Sequence, residues 1–167
     1  MTVDSFNRLP EHQVRARLTD CCAAARWVDL MLARRPFRDA GDVARAARDA
    51  WMQMSTRDWL EAFAAHPRIG DIDSLREKYA STREMAGGEQ AAVGGADVDT
   101  LREIGRLNRE YENRFGFIFI VFASGKSAVE MLELLKARID NTRDQELRNA
   151  AAEQLKITLL RLDRLVT

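Results

Sequence analysis

The sequence predicts an all-α fold, and three observations carry that expectation. Only three prolines and nine glycines punctuate 167 residues, and Ala, Leu, Arg and Glu, all good helix formers, dominate. Hydroxyl residues followed three positions later by an acid or amide recur at Ser55/Asp58, Ser127/Glu130 and Thr142/Gln145, a signature of helix starts. Apolar residues recur at three-and-four spacing, most clearly Leu101, Ile104, Leu107 and Tyr111. The expectation is one compact helical domain over residues 1–167, with about seven to nine helices and no significant sheet.

Taken in order, a first helix starts near Pro10, a permitted first-turn proline, and runs toward Ala33. Pro36 breaks it, and Asp42 caps a second helix through Met54. The Ser55 capping box opens a third, ending at His66, because Pro67 disfavours α geometry in the residue before it. A short helix is expected over Asp73 to Tyr79. The pairs Gly87-Gly88 and Gly94-Gly95 then bracket a brief segment, Glu89 to Val93. Asp99 opens a helix reaching toward Arg114. Ser127 caps the next, to about Ile139, and Thr142 starts a final helix that continues almost to the end.

The run Phe115-Gly116-Phe117-Ile118-Phe119-Ile120-Val121-Phe122-Ala123-Ser124-Gly125 is the exception. A single strand without partners cannot satisfy its backbone, so a buried helical or irregular segment is expected. Such a stretch, ending in Ser124-Gly125, could present N–H and C=O groups to a ligand.

Composition narrows the classes of function. Hydrophobic residues make up 46% and charged residues 31%, as in an ordinary globular chain. The 26 basic and 26 acidic residues cancel, so no global field draws nucleic acid or an anionic membrane. No apolar run reaches membrane-spanning length and no secretory or peroxisomal signal is present, so a cytoplasmic location is expected. Cys21 and Cys22 are adjacent, which suits reduced packing residues better than a bridge or a metal site. With two histidines and no HExxH or CxxC spacing, no ligand set for a metal is recognisable. Gly125-Lys126-Ser127 imitates a phosphate-binding loop, but Ile120 stands where the Walker pattern needs glycine.

What remains is proton chemistry. His66 sits at a chain corner after a helix, and an imidazole titrates near neutrality, at about 6.5 when unperturbed, so it both takes and gives protons. Glu89 lies between glycine pairs, at a tight turn or helix start where amides stabilise and aim a carboxylate. Arg161 falls in line with Ile157 and Leu165 on the last helix, on a face partly buried, where an arginine needs an anion or carbonyl. Each has an ordinary structural alternative: a cap, a surface turn, a salt bridge. His12, in a charged first turn, reads as solvated surface.

In this order the residues are similar to a known family. The chain resembles the 2-oxo-4-hydroxy-4-carboxy-5-ureidoimidazoline (OHCU) decarboxylases of urate degradation. The resemblance rests on Phe6-Asn7-Arg8-Leu9, Arg35-Pro36-Phe37, His66-Pro67-Arg68-Ile69-Gly70 and Gly88-Glu89-Gln90. It continues through Leu107-Asn108, Tyr111, Arg114-Phe115-Gly116-Phe117, Arg138 with Asn141, Glu146-Leu147, Ile157 and Leu160-Arg161-Leu162. It implies an all-α homodimer without metal or organic cofactor, which converts OHCU to (S)-allantoin. It further implies that His66 is the catalytic acid and Glu89 its partner. Arg161, Pro67, the stretch Ala86, Gly87, Gly88, Glu89 and Gln90, and the segment Val121, Phe122, Ala123, Ser124 and Gly125 would contact substrate. Ala86 departs from the hydroxyl residue the family often has there, so one substrate hydrogen bond must come from elsewhere. A non-catalytic helical ligand-binding module and a lyase acting on a related ureide are the rival readings.

Overall fold

Local hydrogen-bond chemistry explains most of the helix boundaries in the computed structural model, which describes residues 1–66 and 98–167. Among the described residues there are eight helices and no strand. They are α1 (Val3–Arg8), α2 (Glu11–Cys21), α3 (Ala25–Ala33), α4 (Ala40–Met52), α5 (Thr56–Ala64), α6 (Val98–Phe115), α7 (Ala128–Ile139) and α8 (Arg143–Leu165). The chain divides into two compact units, Met1–His66 with Asn149–Thr167, and Pro67–Arg148. The expected short helix from Asp73 to Tyr79 and the segment from Glu89 to Val93 lie outside the described residues.

In the first unit, the Ser55 capping signature is joined by two starts not anticipated from sequence. Thr2 accepts a hydrogen bond from the Ser5 N–H and begins α1, ahead of the expected first helix. Asp39, rather than Asp42, caps α4: its carboxylate accepts from the Asp42 N–H at 2.7 Å. Asp42 is held instead by Arg38 and Arg45, and its carboxyl group lies well below the usual carboxylate range, chiefly through the Arg38 hydrogen bonds. Ser55 forms the predicted capping box with Asp58, and α5 ends at Ala64, two residues before His66.

The helix expected from Pro10 to Ala33 is two helices. Cys22 turns to an extended conformation, and the chain re-enters helix at Ala25. Residues 22–24 contain no breaker in the sequence; non-local packing decides the break. Cys22 and Ala24 are fully buried, and Arg161 of α8 donates to the carbonyls of Asp20 and Cys21, at 3.3 and 3.2 Å. Carbonyls at a helix C-terminus have no intrahelical partner, so an arginine there both satisfies them and suits the negative end of the helix dipole.

Trp27, Phe6, Leu18, Met31 and Phe63 form the fully buried centre of this unit, and the Trp27 indole donates to the Ala47 carbonyl. Asn7 pins two of the resembling motifs together. Its side chain donates to the Phe37 carbonyl at 2.7 Å and accepts from the Phe37 N–H at 3.0 Å. Arg35 reaches back to the carbonyls of Asn7 and Leu9.

In the second unit, α6 buries Leu101, Ile104, Leu107 and Tyr111, the predicted stripe. It ends at Gly116, whose N–H bonds the Glu112 carbonyl at 2.8 Å and whose φ of 79° is left-handed, a conformation glycine adopts without a Cβ penalty. Ser127 and Glu130 cap α7 reciprocally, and Thr142 and Gln145 exchange the same pair of bonds at the start of α8. Between Gly116 and Ser127 the chain is irregular, as expected, with Phe117 and Ile120 buried.

The capping carboxylates Asp58 and Glu130 are lowered mainly by backbone N–H bonds from Ser55 and Ser127. Groups lowered on folding contribute stability that is present above their unfolded pKa, about 4. That contribution is lost as pH falls through the lower folded values. Melting scans from pH 6 to pH 3 should show a falling midpoint, and the fall should be shallower in an Asp58→Asn, Glu130→Gln variant.

Candidate active site

His66 follows α5 directly. Phe63, fully buried, anchors the last turn, and the His66 N–H still bonds the Phe63 carbonyl at 3.1 Å. The ring therefore leaves the helix at a fixed point, as its position before Pro67 suggested. Its Nε2 lies 2.5 Å from Oε1 of Gln154 on α8. Gln154 is 1% exposed, and its amide Nε2 donates to Oγ1 of the fully buried Thr158 at 3.2 Å. Thr158 in turn lies beside the Cys22 side chain.

A cavity of about 270 Å³ opens on this cluster, close to the lower end of small-ligand sites. His66, Gln154, Arg161, Cys22, Asp20 and Thr19 are among its walls. Arg161 is half-buried and contributes one guanidinium nitrogen to the two α2 carbonyls. Among the described residues its other N–H groups have no partner, so a cation with spare donors faces the imidazole's cavity. The neighbouring thiols of Cys21 and Cys22 are both pushed up to about 11, mainly by burial. They stay protonated and unbridged, as packing residues.

The predicted site residues fall into three groups. His66 and Arg161 share the cavity of the first unit. Pro67, Ala86, Gly87, Gly88, Glu89 and Gln90 lie outside the described residues. Val121, Phe122, Ala123, Ser124 and Gly125 belong to the second unit, where their backbone is tied down locally. Lys126 donates from its backbone N–H to the Ala123 carbonyl and from Nζ to the Phe122 carbonyl. Arg138 donates to the Ile120 carbonyl at 2.9 Å. The carbonyls at three positions are thus already used. Among the described residues the N–H groups of Val121, Ala123, Ser124 and Gly125 have no partner, and those are what the loop can offer a ligand. Gly125 allows the turn with a φ of 75°, and Ser127 is spent on capping α7, which accounts for the Gly-Lys-Ser that imitates a phosphate loop.

Behind this loop sits a buried ionic cluster. Glu146 is fully buried and accepts from Tyr111, from Asn141 at 2.8 Å and from Arg138 at 2.7 Å. Burial, then the Glu146 hydrogen bond, drives the Tyr111 phenol above its ordinary value, so it remains a donor. The Arg138 guanidinium lies 4.6 Å from the centre of the Phe119 ring.

Gln154 and Thr158 were not singled out by sequence reasoning. The signal was present one row over on α8: Glu146, Ala150, Gln154, Thr158 and Leu162, at fourfold spacing, are all buried. Ile157, Arg161 and Leu165, the row read from sequence, are only half-buried.

Residues 7–163 match the family model described as OHCU decarboxylase. The uric acid degradation bifunctional protein TTL of Arabidopsis thaliana is 38% identical over 146 residues, covering 87% of this chain and 45% of the relative. A 2-oxo-4-hydroxy-4-carboxy-5-ureidoimidazoline decarboxylase of Haloferax volcanii is 26% identical, covering 97% of this chain and 94% of the relative. A solved structure of an OHCU decarboxylase in the presence of (S)-allantoin superposes with a TM-score of 0.71 at 36% identity, covering 88% of this chain and 94% of that one. The chain spans less than half the length of the bifunctional relatives from Arabidopsis thaliana and Bacillus subtilis.

Proposed function

Because the chain belongs to the OHCU decarboxylase family, we propose that it decarboxylates OHCU to (S)-allantoin in urate degradation, with His66 as proton donor. The observation that carries this reading is the juxtaposition on one cavity of His66 and Arg161, a cation with N–H groups left over among the described residues, within a chain matched by the family model over nearly its whole length.

The substrate's own structure supplies the electron sink. OHCU carries hydroxyl and carboxylate on one ring carbon, and the adjacent carbon bears the ureido group and the ring C=N bond. As the bond to CO2 breaks, its electron pair forms a C=C bond between the two carbons, and the C=N pair moves onto nitrogen, which takes a proton. The resulting enol then loses its hydroxyl proton and gains one at the ureido-bearing carbon, giving allantoin. An organic cofactor to hold the electrons is not required by this route. The protein's work is to hold the carboxylate out of the ring plane and to protonate one face, which selects the S enantiomer.

His66 delivers that proton. Glu89 orients the hydroxyl or ureido group and raises the proton affinity of His66. Arg161 holds ring or ureido oxygens with its uncommitted N–H groups, while Pro67, Ala86 to Gln90 and Val121 to Gly125 complete the substrate contacts. We read residues 1–167 as one domain of a cytoplasmic homodimer. No helix among the described residues is long and apolar enough to cross a membrane.

The test generates OHCU in situ from urate with the two preceding enzymes and follows the optical activity of the allantoin formed. Rapid appearance of one enantiomer is expected; a racemate at the uncatalysed rate overturns the reading, and rapid turnover of a different ureide alone favours the related lyase. Arg161→Ala should raise KM for OHCU by about 10- to 100-fold, the size of a lost hydrogen bond from a charged group. An unchanged KM would confine Arg161 to its bonds with α2.

A further inference from the structure

We propose that Gln154 is a positioning residue that holds His66 as the Nε2–H tautomer, so that Nδ1 is the ring atom that exchanges a proton with substrate. This rests on the decarboxylase reading only for the last clause; the tautomer itself is a property of the folded chain.

A directed series of hydrogen bonds supports it. A neutral imidazole has one N–H and one bare nitrogen, and the partner of one nitrogen decides which is which. The amide oxygen of Gln154 faces His66 Nε2 at 2.5 Å and can only accept, so Nε2 must carry a proton. At the other end of the amide, the NH2 group donates to Thr158 Oγ1 at 3.2 Å, so both ends of the side chain are bonded in this orientation. Thr158 lies beside the Cys22 thiol, which burial keeps protonated near neutrality. Gln154 and Thr158 lie one helical turn apart on α8, and both are at most 1% exposed. Buried glutamine and threonine are costly to keep on a core-facing helix row unless they are bonded, and here Thr158 bonds Gln154, which in turn bonds the imidazole.

The consequence is a division of labour within the ring. Nε2 keeps its proton in both charge states and anchors the ring to α8. Nδ1 is bare in the neutral form and protonated in the cation, so it alone cycles. Gln154 is uncharged and accepts from the ring whether the ring is neutral or cationic, so it sets direction without fixing the charge.

With only two histidines in the chain, long-range proton–nitrogen correlation spectra of ¹⁵N-labelled protein can read both rings, and His12→Gln assigns them. The wild type, above the titration of His66, should show the Nε2–H pattern. Gln154→Leu, close in volume, should shift His66 toward a mixture of tautomers and lower kcat on OHCU by about tenfold, with KM changed less than about twofold. Gln154→Glu keeps an acceptor, so it should retain the Nε2–H tautomer, recover kcat relative to Gln154→Leu and move the His66 titration upward. Asp20, Cys22 and Arg161, the ionisable groups among the described residues that share the cavity, and Glu89, the proposed partner of His66, are the same in each variant and cannot cause that difference.

A wild-type His66 protonated on Nδ1 when neutral overturns the proposal. So does a folded Gln154→Leu with unchanged tautomer, whether or not its rate falls. If Gln154→Leu fails to fold, the wild-type spectrum and Gln154→Glu still decide the matter. A wild type that shows the Nε2–H pattern but does not turn over OHCU would overturn the proposed function and leave the positioning role of Gln154 standing.

Discussion

His66→Asn should lower kcat on OHCU by about 10²- to 10⁴-fold, the usual contribution of a positioned general acid, and should release racemic allantoin. Both effects follow from one cause. Decarboxylation leaves an enol whose ureido-bearing carbon is planar, and the spontaneous tautomerisation in water adds a proton to either face. A fixed imidazole adds it to one. Asparagine is a suitable replacement because it is polar, smaller than histidine and well tolerated at a helix end, so the fold should survive. Circular dichroism and the melting midpoint should therefore stay close to the wild type, while polarimetry reports the loss of handedness. A folded His66→Asn protein that retains rate and stereoselectivity would remove His66 from the proton transfer.

Boundaries governed by neighbouring residues were legible in the sequence. Ser55 with Asp58, Ser127 with Glu130 and Thr142 with Gln145 each close a local loop of hydrogen bonds, and each starts a helix where the pattern placed it. The position of His66 after a helix was legible for the same reason, since Pro67 acts on its immediate neighbour. The break at Cys22 was not. It depends on Arg161, separated from Cys21 by 140 positions, which occupies the carbonyls that end α2. Capping of α4 by Asp39 instead of Asp42 was a local competition that either aspartate could have won; the Arg38 and Arg45 side chains draw Asp42 away. On α8 the periodicity was visible but its phase was misread. Ile157, Arg161 and Leu165 look like a buried row because two of the three are apolar, whereas the buried row carries Glu146, Gln154 and Thr158. Polar residues on a core-facing row mark bonded groups, and that inversion is what hid Gln154 from sequence reasoning. The pairing of Glu89 with His66 came from the family resemblance and concerns a residue outside the described ones.

Glu146→Ala should cost about 3–5 kcal/mol of stability, the usual result of breaking a buried ion pair from one side. The loss comes less from the missing attraction than from what remains. Arg138 is only 11% exposed, and without Glu146 no carboxylate among the described residues pairs with its charge. Tyr111 and Asn141 lose their acceptor in the same stroke. Adding Arg138→Met to Glu146→Ala should recover part of that stability, because a thioether needs no counter-charge. Recovery of function should not follow. Arg138 also holds the Ile120 carbonyl, at the point where the irregular loop leads into Val121 to Gly125. If those residues contact substrate, the double variant should refold the unit yet keep a raised KM, since the N–H groups of the loop would no longer be presented from a fixed start. Urea titration followed by OHCU kinetics separates the two effects. A Glu146→Ala protein as stable as the wild type would show that the cluster is not a stability determinant. A double variant with wild-type KM would show that the Arg138 bond to Ile120 does not position the loop.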